Sequence, residues 1–299
     1  MLAYGHQTYT WDILKIIFLS ILTLYCGFFA ALIWNDITDA DIDRIAHPSR
    51  PVPQGKITAR RFFAIALVFS VLTFLFALLT SLWCFIIVGF NALFVAFHDK
   101  YLKKRVKIPA YSEIFTPVQW LIVPLFGYFA LWTVLPPTGD ITITVPVLGY
   151  LSIHSNQLLP LLLLLLFTYF ADDAHDLAEG IHDVEGDRRA GVRTYATSFG
   201  EKTAATISVV MILLAGIFGI MLYLWTTLTL LYLVPFVLLW LYTLFLFSRL
   251  MKAEGDERKQ LGKILGRKGF NFLLFTYALI FLDVFVQMIT LTYFHWMLP

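Results

Sequence analysis

Carboxylates gather at two places in this 299-residue chain, at spacings that suit a metal-binding surface. The first run is Asn35-Asp36-Ile37-Thr38-Asp39-Ala40-Asp41-Ile42-Asp43. On a helix, Asp36, Asp39 and Asp43 fall at i, i+3 and i+7 and share one face, with Asn35 beside them. The second run opens with Asp172-Asp173-Ala174-His175-Asp176, passes Glu179 and closes with Asp183-Val184-Glu185-Gly186-Asp187. Here Asp172, Asp176, Glu179, Asp183 and Asp187 advance by four, three, four and four residues, again along one face. Like charges so stacked repel by a few tenths of a kcal/mol per exposed pair, and by more at a membrane edge. A cation relieves that repulsion. All-oxygen, anionic donors suit Mg2+ or Ca2+ rather than zinc. Mg2+ takes one or two carboxylates, keeps waters and shares substrate phosphates, so two such faces flanked by Lys and Arg would hold a diphosphate.

Other readings of these residues are weaker. A single acidic run at a membrane edge is most often a solvated face, but two helix-phased runs, each starting where an apolar stretch stops, argue for a site. Neither run has the glycine and final glutamate of an EF-hand loop. His175 and His182 flank the second run without a Cys or an i, i+4 His partner, and read as solvated or hydrogen-bonded side chains. A cation-coupled transporter would hold acids near the bilayer midplane, whereas the apolar stretches carry almost no charge apart from Asp283 and, near an end, Lys15.

The elements that position these runs are membrane spans. The chain is 59% apolar, 17% aromatic and 14% charged, with a mean hydropathy of +0.77. Soluble domains carry about 25% charged residues, so soluble and disordered classes are excluded. Continuous rather than alternating apolar runs exclude a β-barrel. Runs of spanning or near-spanning length occupy about 12–34, 61–79, 81–98, 113–135, 156–172, 204–224, 227–249 and 270–298. The fifth is the shortest and is expected to continue as a helix past Phe170. Cys26 and Cys84 both lie in apolar runs and give no disulfide or metal-knuckle pattern, and the N-terminal residues lack the basic segment of a cleavable signal peptide.

Charge orients the spans. Lys and Arg number five in 35–61, five in 99–112, four in 173–203 and seven in 249–269, while the alternate connections near 80, 136–155 and 225–226 have none. The positive-inside rule places the four charged loops, and with them both acidic runs, in the cytoplasm, and both termini on the opposite side. An acidic run near a span end occurs in each of two stretches, roughly 1–112 and 113–249, as two related halves would show.

At these residues the chain resembles the UbiA superfamily of intramembrane prenyltransferases. Asn35-Asp36-x-x-Asp39-x-x-x-Asp43 is similar to its N-D-x-x-D-x-x-x-D motif, and Arg50-Pro51-Val52-Pro53-Gln54-Gly55 to its R-P-x-P-x-G stretch. Asp183-Val184-Glu185-Gly186-Asp187, with Gly191 and Thr194 following, resembles its second motif, and Leu102-Lys103 an L-K element between the two. Two differences stand out. The family has nine spans as a rule, with the first acidic motif after the second, so an opening helix is expected to be missing here. Its second motif commonly begins with a carboxylate where this chain has Gly180, a place Asp176 or Glu179 would take.

The resemblance implies one all-α membrane domain over 1–299, its spans ringing a central cavity capped by the motif loops. It implies Mg2+ held by Asn35, Asp36, Asp39 and Asp43 at one site and by Asp183 and Asp187 at the other, with Lys103, Arg44 and Arg50 on the diphosphate. The implied reaction moves a polyprenyl group from an allylic isoprenyl diphosphate to an aromatic or other lipid-precursor acceptor through a carbocation-like step. Apolar walls would exclude water from that step, and 28 Phe, 14 Tyr and 8 Trp offer cation–π faces. Partners are then the prenyl diphosphate, a membrane-associated acceptor and the bilayer, with no nucleic acid. The alternatives are a terpene cyclase using the same metal motifs without an acceptor and, third, a non-catalytic membrane protein or transporter.

Overall fold

Eight helices among the described residues are long and apolar enough to cross a membrane. The computed structural model describes residues 2–5, 10–38, 40, 51–135, 139–145 and 149–297. The spans are α1 (Trp11–Thr38), α2 (Ala59–Thr80), α3 (Leu82–Leu102), α4 (Tyr111–Trp132), α5 (Ser155–Ala190), α6 (Glu201–Trp225) and α7 (Leu230–Lys252), followed by α8 (Gly255–Met297). Their outer faces are apolar: Phe90 and Leu93 on α3 are 71% and 70% exposed, and Phe18, Leu238 and Phe245 stand out in the same way. Such a surface suits lipid, where each helix satisfies its own backbone. Buried Thr23, Thr168, Thr243 and Thr276 follow the same rule, each hydroxyl donating to the carbonyl four residues earlier.

The helices form two four-membered rings. α1 packs on α2, α2 on α3, α3 on α4 and α4 back on α1, and α5 to α8 repeat the pattern. Each ring has its own core: Ile13, Ile16, Ala77, Val88 and Phe126 in the first, Phe167, Ile212, Phe236, Phe247 and Phe272 in the second. The halves therefore meet at the connection between α4 and α5, not near residue 112, because α4 closes the first ring. Small residues make room for large ones between helices: Gly216 and Gly219 of α6 face the rings of Trp240 and Phe236 of α7. Trp240 Nε1 then donates to Ile212 O at 2.9 Å, and the Tyr232 hydroxyl to Gly219 O at 3.1 Å.

Three connections differ from the sequence reading. Ser81 alone separates α2 from α3; its extended backbone breaks the helix and its hydroxyl accepts from Cys84 N at 3.0 Å, so one residue ends one helix and caps the next. The connection between α4 and α5 contains an antiparallel hairpin, Ile141–Val145 with Gly149–Ile153, whose alternating Ile and Thr suit strand pairing. The basic segment 249–269 is mostly helix: only Ala253 and Glu254 join α7 to α8, which opens with Asp256 and Glu257 in its positive first turn. The expected extension of the fifth span is present, α5 running 36 residues through the whole second acidic run.

Candidate active site

α5 changes character halfway. Its first part is apolar; its second carries the carboxylates and stops at Gly191, whose φ of 75° is the left-handed conformation glycine takes at a helix end. Asp173, Asp176, Gly180, Asp183 and Asp187 recur at three- and four-residue steps, so they run as one row along this helix. The row is sunk between neighbours. Asp172 and Asp173 are fully buried, Asp176, Asp183 and Asp187 half-buried, and only Glu179 and Glu185 are exposed.

Of the two readings of His175, solvated or hydrogen-bonded, the structure has the second: the ring is buried because α8 lies over it, Gly266 and Gly269 facing Glu179 and His175 and Phe270 meeting the imidazole edge-on at 5.3 Å. His175 Nε2 lies 2.8 Å from Asp172 Oδ1 and Nδ1 lies 3.4 Å from Asp176 Oδ1. His175, Asp176 and Glu179 each present a ligand atom within 4.8 Å of the others. His182 Nε2 stands 3.8 Å from Asp183 Oδ1.

Across the row stands a carboxylate that the sequence reading passed over. Glu113 begins the fourth apolar run, where a span-edge acid reads as solvated, yet it is only 4% exposed. Ala110, at φ 56°, turns the chain into α4. That turn is bolted to the segment after α5: Ser112 N donates to Arg193 O at 3.0 Å, Ala110 N to Ser198 Oγ at 3.0 Å, and Tyr195 N to Glu113 Oε2. The other oxygen, Oε1, sits where a Cβ on Gly180 would be. Tyr169 closes this side, its hydroxyl donating to Ile114 O at 2.9 Å. The Tyr195 hydroxyl is pushed above its ordinary pKa, first by burial and then by the charges of Asp173 and Glu113.

Lys103 reaches the row from α3. The helix widens there into a π-turn, Lys103 N donating back to His98 O, which rotates the residues that follow. Lys103 is half-buried and acts electrostatically on Asp176. Asn35 and Asp36 are half-buried in the last turns of α1. α1 is tied to the row through aromatic rings, Phe28 stacking on Phe270 at 6.2 Å and tilting on Trp120 at 5.9 Å. Asp39, Asp43, Arg44 and Arg50 lie outside the described residues.

The donors fit a cation. Asp172 Oδ2, both oxygens of Asp173, Asp176 Oδ2 and Glu113 Oε1 are buried with no hydrogen-bond partner. An unpaired buried carboxylate is costly, and a hard divalent ion is the partner that all-oxygen donors favour. Asp173 and Glu113 belong to this arrangement although the sequence reading gave them no role. Asp173 was legible as the residue three before Asp176; Glu113 becomes visible only once α4 is folded against Gly180.

Comparison with known proteins identifies the family and the fold. Residues 1–274 match the UbiA prenyltransferase family. The digeranylgeranylglyceryl phosphate synthase of Sulfolobus acidocaldarius is 25% identical over 204 residues, 68% of this chain and 64% of that protein, so the chain spans a little under two thirds of this relative's length. In fold, the chain is similar to an apo UbiA homolog from Aeropyrum pernix, with a TM-score of 0.69 at 16% identity, covering 92% of this chain and 90% of that one. It is also similar to a UbiA homolog from Archaeoglobus fulgidus bound to GPP and Mg2+, with a TM-score of 0.57 at 14% identity over 89% and 88% of the two chains. With two rings of four spans and a carboxylate-lined helix at their seam, the chain belongs to the UbiA prenyltransferase family.

Proposed function

We propose that this protein is an intramembrane prenyltransferase, transferring a prenyl group from an allylic isoprenyl diphosphate to an aromatic or other lipid-precursor acceptor with release of diphosphate. The observation that carries the reading is the set of buried, unpartnered carboxylate oxygens on α5, with Lys103 acting on Asp176 beside them. Asp183 and Asp187 hold one Mg2+ in this reading, with Asp173 and Asp176 in the same row, and Asn35, Asp36, Asp39 and Asp43 are the ligands of the other. When bound, Mg2+ neutralises the departing diphosphate. Lys103 binds the same phosphates, and Arg44 and Arg50 join it.

The allylic C–O bond breaks with its electron pair leaving on the diphosphate. A nucleophilic atom of the acceptor bonds to the allylic carbon and gives up its proton. Between these events the carbon is electron-poor, and the faces of Phe28, Trp120 and Phe270 at the inner end of the row stabilise it and exclude water. One domain over 1–299 performs this, with the motif end of the bundle in the cytoplasm and the termini opposite, as the loop charges indicate. Relatives named for digeranylgeranylglyceryl phosphate make a prenylated glyceryl phosphate the first acceptor to try.

The test is product analysis with the protein in lipid nanodiscs, supplied with Mg2+ and prenyl diphosphates of increasing length, with and without an acceptor panel. Acceptor-dependent diphosphate release with a prenylated product is expected. Release with a hydrocarbon or alcohol product and no acceptor makes the protein a cyclase instead, and no release with any pair overturns the enzymatic reading.

A further inference from the structure

The row on α5 has a gap. Asp173, Asp176, Asp183 and Asp187 step along the helix, and the position between them, 180, is a glycine. That gap is filled from another helix. Glu113 of α4 lays its Oε1 in the place of the missing Cβ, beside Thr194. Its Oε2 accepts from Tyr195 N, which fixes the carboxylate's orientation, while Oε1 is buried with no partner. The side chain is 4% exposed and stands within electrostatic range of Asp173, Asp176 and Asp187. A purely structural glutamate at this seam would satisfy both oxygens; this one satisfies Oε2 and leaves Oε1, the oxygen beside Gly180, without a partner.

We propose that Glu113 is a cation-ligating residue of this site, providing across the α4–α5 seam the carboxylate that position 180 lacks. The ligand is a hard divalent cation, Mg2+ or Mn2+, bound between Glu113 Oε1 and the neighbouring carboxylates of α5. Gly180 follows from this arrangement: any side chain there displaces Glu113, so the two residues act as a pair. The inference rests on the reading of α5 as a metal-bearing site and adds a ligand that the acidic motifs do not contain.

The experiment titrates Mn2+ alone into the full chain in nanodiscs, counting bound ion by electron paramagnetic resonance, with a thermal melt of each variant in parallel. Glu113→Gln keeps the acceptor for Tyr195 N and the side-chain volume while removing the charge. It is expected to weaken Mn2+ binding about 10- to 100-fold with the melting temperature of the metal-free protein preserved or raised. The double variant Glu113→Ala/Gly180→Asp returns a carboxylate to the same place from α5 itself, and is expected to bind Mn2+ more tightly than Glu113→Ala. Binding by Glu113→Gln equal to that of the native chain overturns the proposal. So does a folded double variant that binds no better than Glu113→Ala. A native chain that binds no Mn2+ and releases no diphosphate overturns instead the metal-site reading beneath it.

Discussion

Two acids on neighbouring helices are equally buried and differ completely in their partners. Asp283 of α8 and Asp173 of α5 are each 1% exposed. Asp283 is fully answered: Thr229 N donates to Oδ2 at 2.7 Å, Thr229 Oγ1 lies 3.0 Å from Oδ1, and Gln287 Nε2 donates to Oδ1 at 2.7 Å. It stands at the first turn of α7, where the carboxylate meets backbone N–H and the positive end of the helix dipole. Asp173 has no partner on either oxygen. Burial alone therefore does not identify function in this bundle. Hydrogen-bond accounting separates the two: the satisfied acid is a joint between α7 and α8, and the unsatisfied one lies in the row proposed above to take a cation.

That contrast can be broken by substitution, and the largest effect is expected at the outer end of the row. Asp183→Ala removes a ligand without opening the core and should lower diphosphate release about 1,000-fold or more, as loss of groups that meet developing charge does. Steady-state rates at saturating Mg2+ check this. A variant within tenfold of the native rate removes Asp183 from the metal set.

Asp283→Ala is expected to act on stability and not on the ion. It leaves Thr229 N without its acceptor and Gln287 Nε2 with Thr227 O alone, at a cost of about 1–3 kcal/mol. Thermal melts with parallel Mn2+ titrations separate the two: melting should fall while affinity holds. A drop in affinity at unchanged melting temperature would place Asp283 in the site and dissolve the contrast.

Metal addition comes next. If the unpaired oxygens of α5 bind Mg2+, then Mg2+ at about 100 times its dissociation constant should stabilise the native chain by about 2.7 kcal/mol, reversibly with chelator. The same addition should stabilise Asp283→Ala by the same increment. Asp173→Asn sharpens the point through its sign: removing an unpaired buried charge should leave the metal-free protein as stable or more so, and shrink the Mg2+ increment. The smallest effect is expected from Lys103→Ala, a loss of about tenfold in affinity for a prenyl diphosphate with metal binding retained, measured by competition.

How much of this was legible in the chain follows from range. The spans, the continuation of α5 past Phe170 and the placing of the second acidic run on one helix are local properties of hydropathy and spacing, and the structure has them. The basic segment 249–269 reads as a loop because it separates two apolar runs, whereas its Lys, Gln and Leu residues are good helix formers and continue the helices on either side. The hairpin at 141–153 was missed because short Ile–Thr alternation is weak against eight apolar runs. Asp176 and Glu179 were the residues within sequence reach of Gly180, so the reading stopped there. Glu113, sixty-seven positions away, enters only through the packing of α4 against α5, which no local pattern encodes.

The carboxylate row as the holder of metal and diphosphate of an allylic substrate is the proposal on which the others depend. Its most direct test is the release of diphosphate from GPP, followed with and without Mg2+, by the native chain and Asp187→Ala in nanodiscs with a prenylated glyceryl phosphate present. Release that requires Mg2+ in the native chain and is lost in the variant is expected. Release by Asp187→Ala at the native rate, or equal release when Mg2+ is chelated, would contradict it.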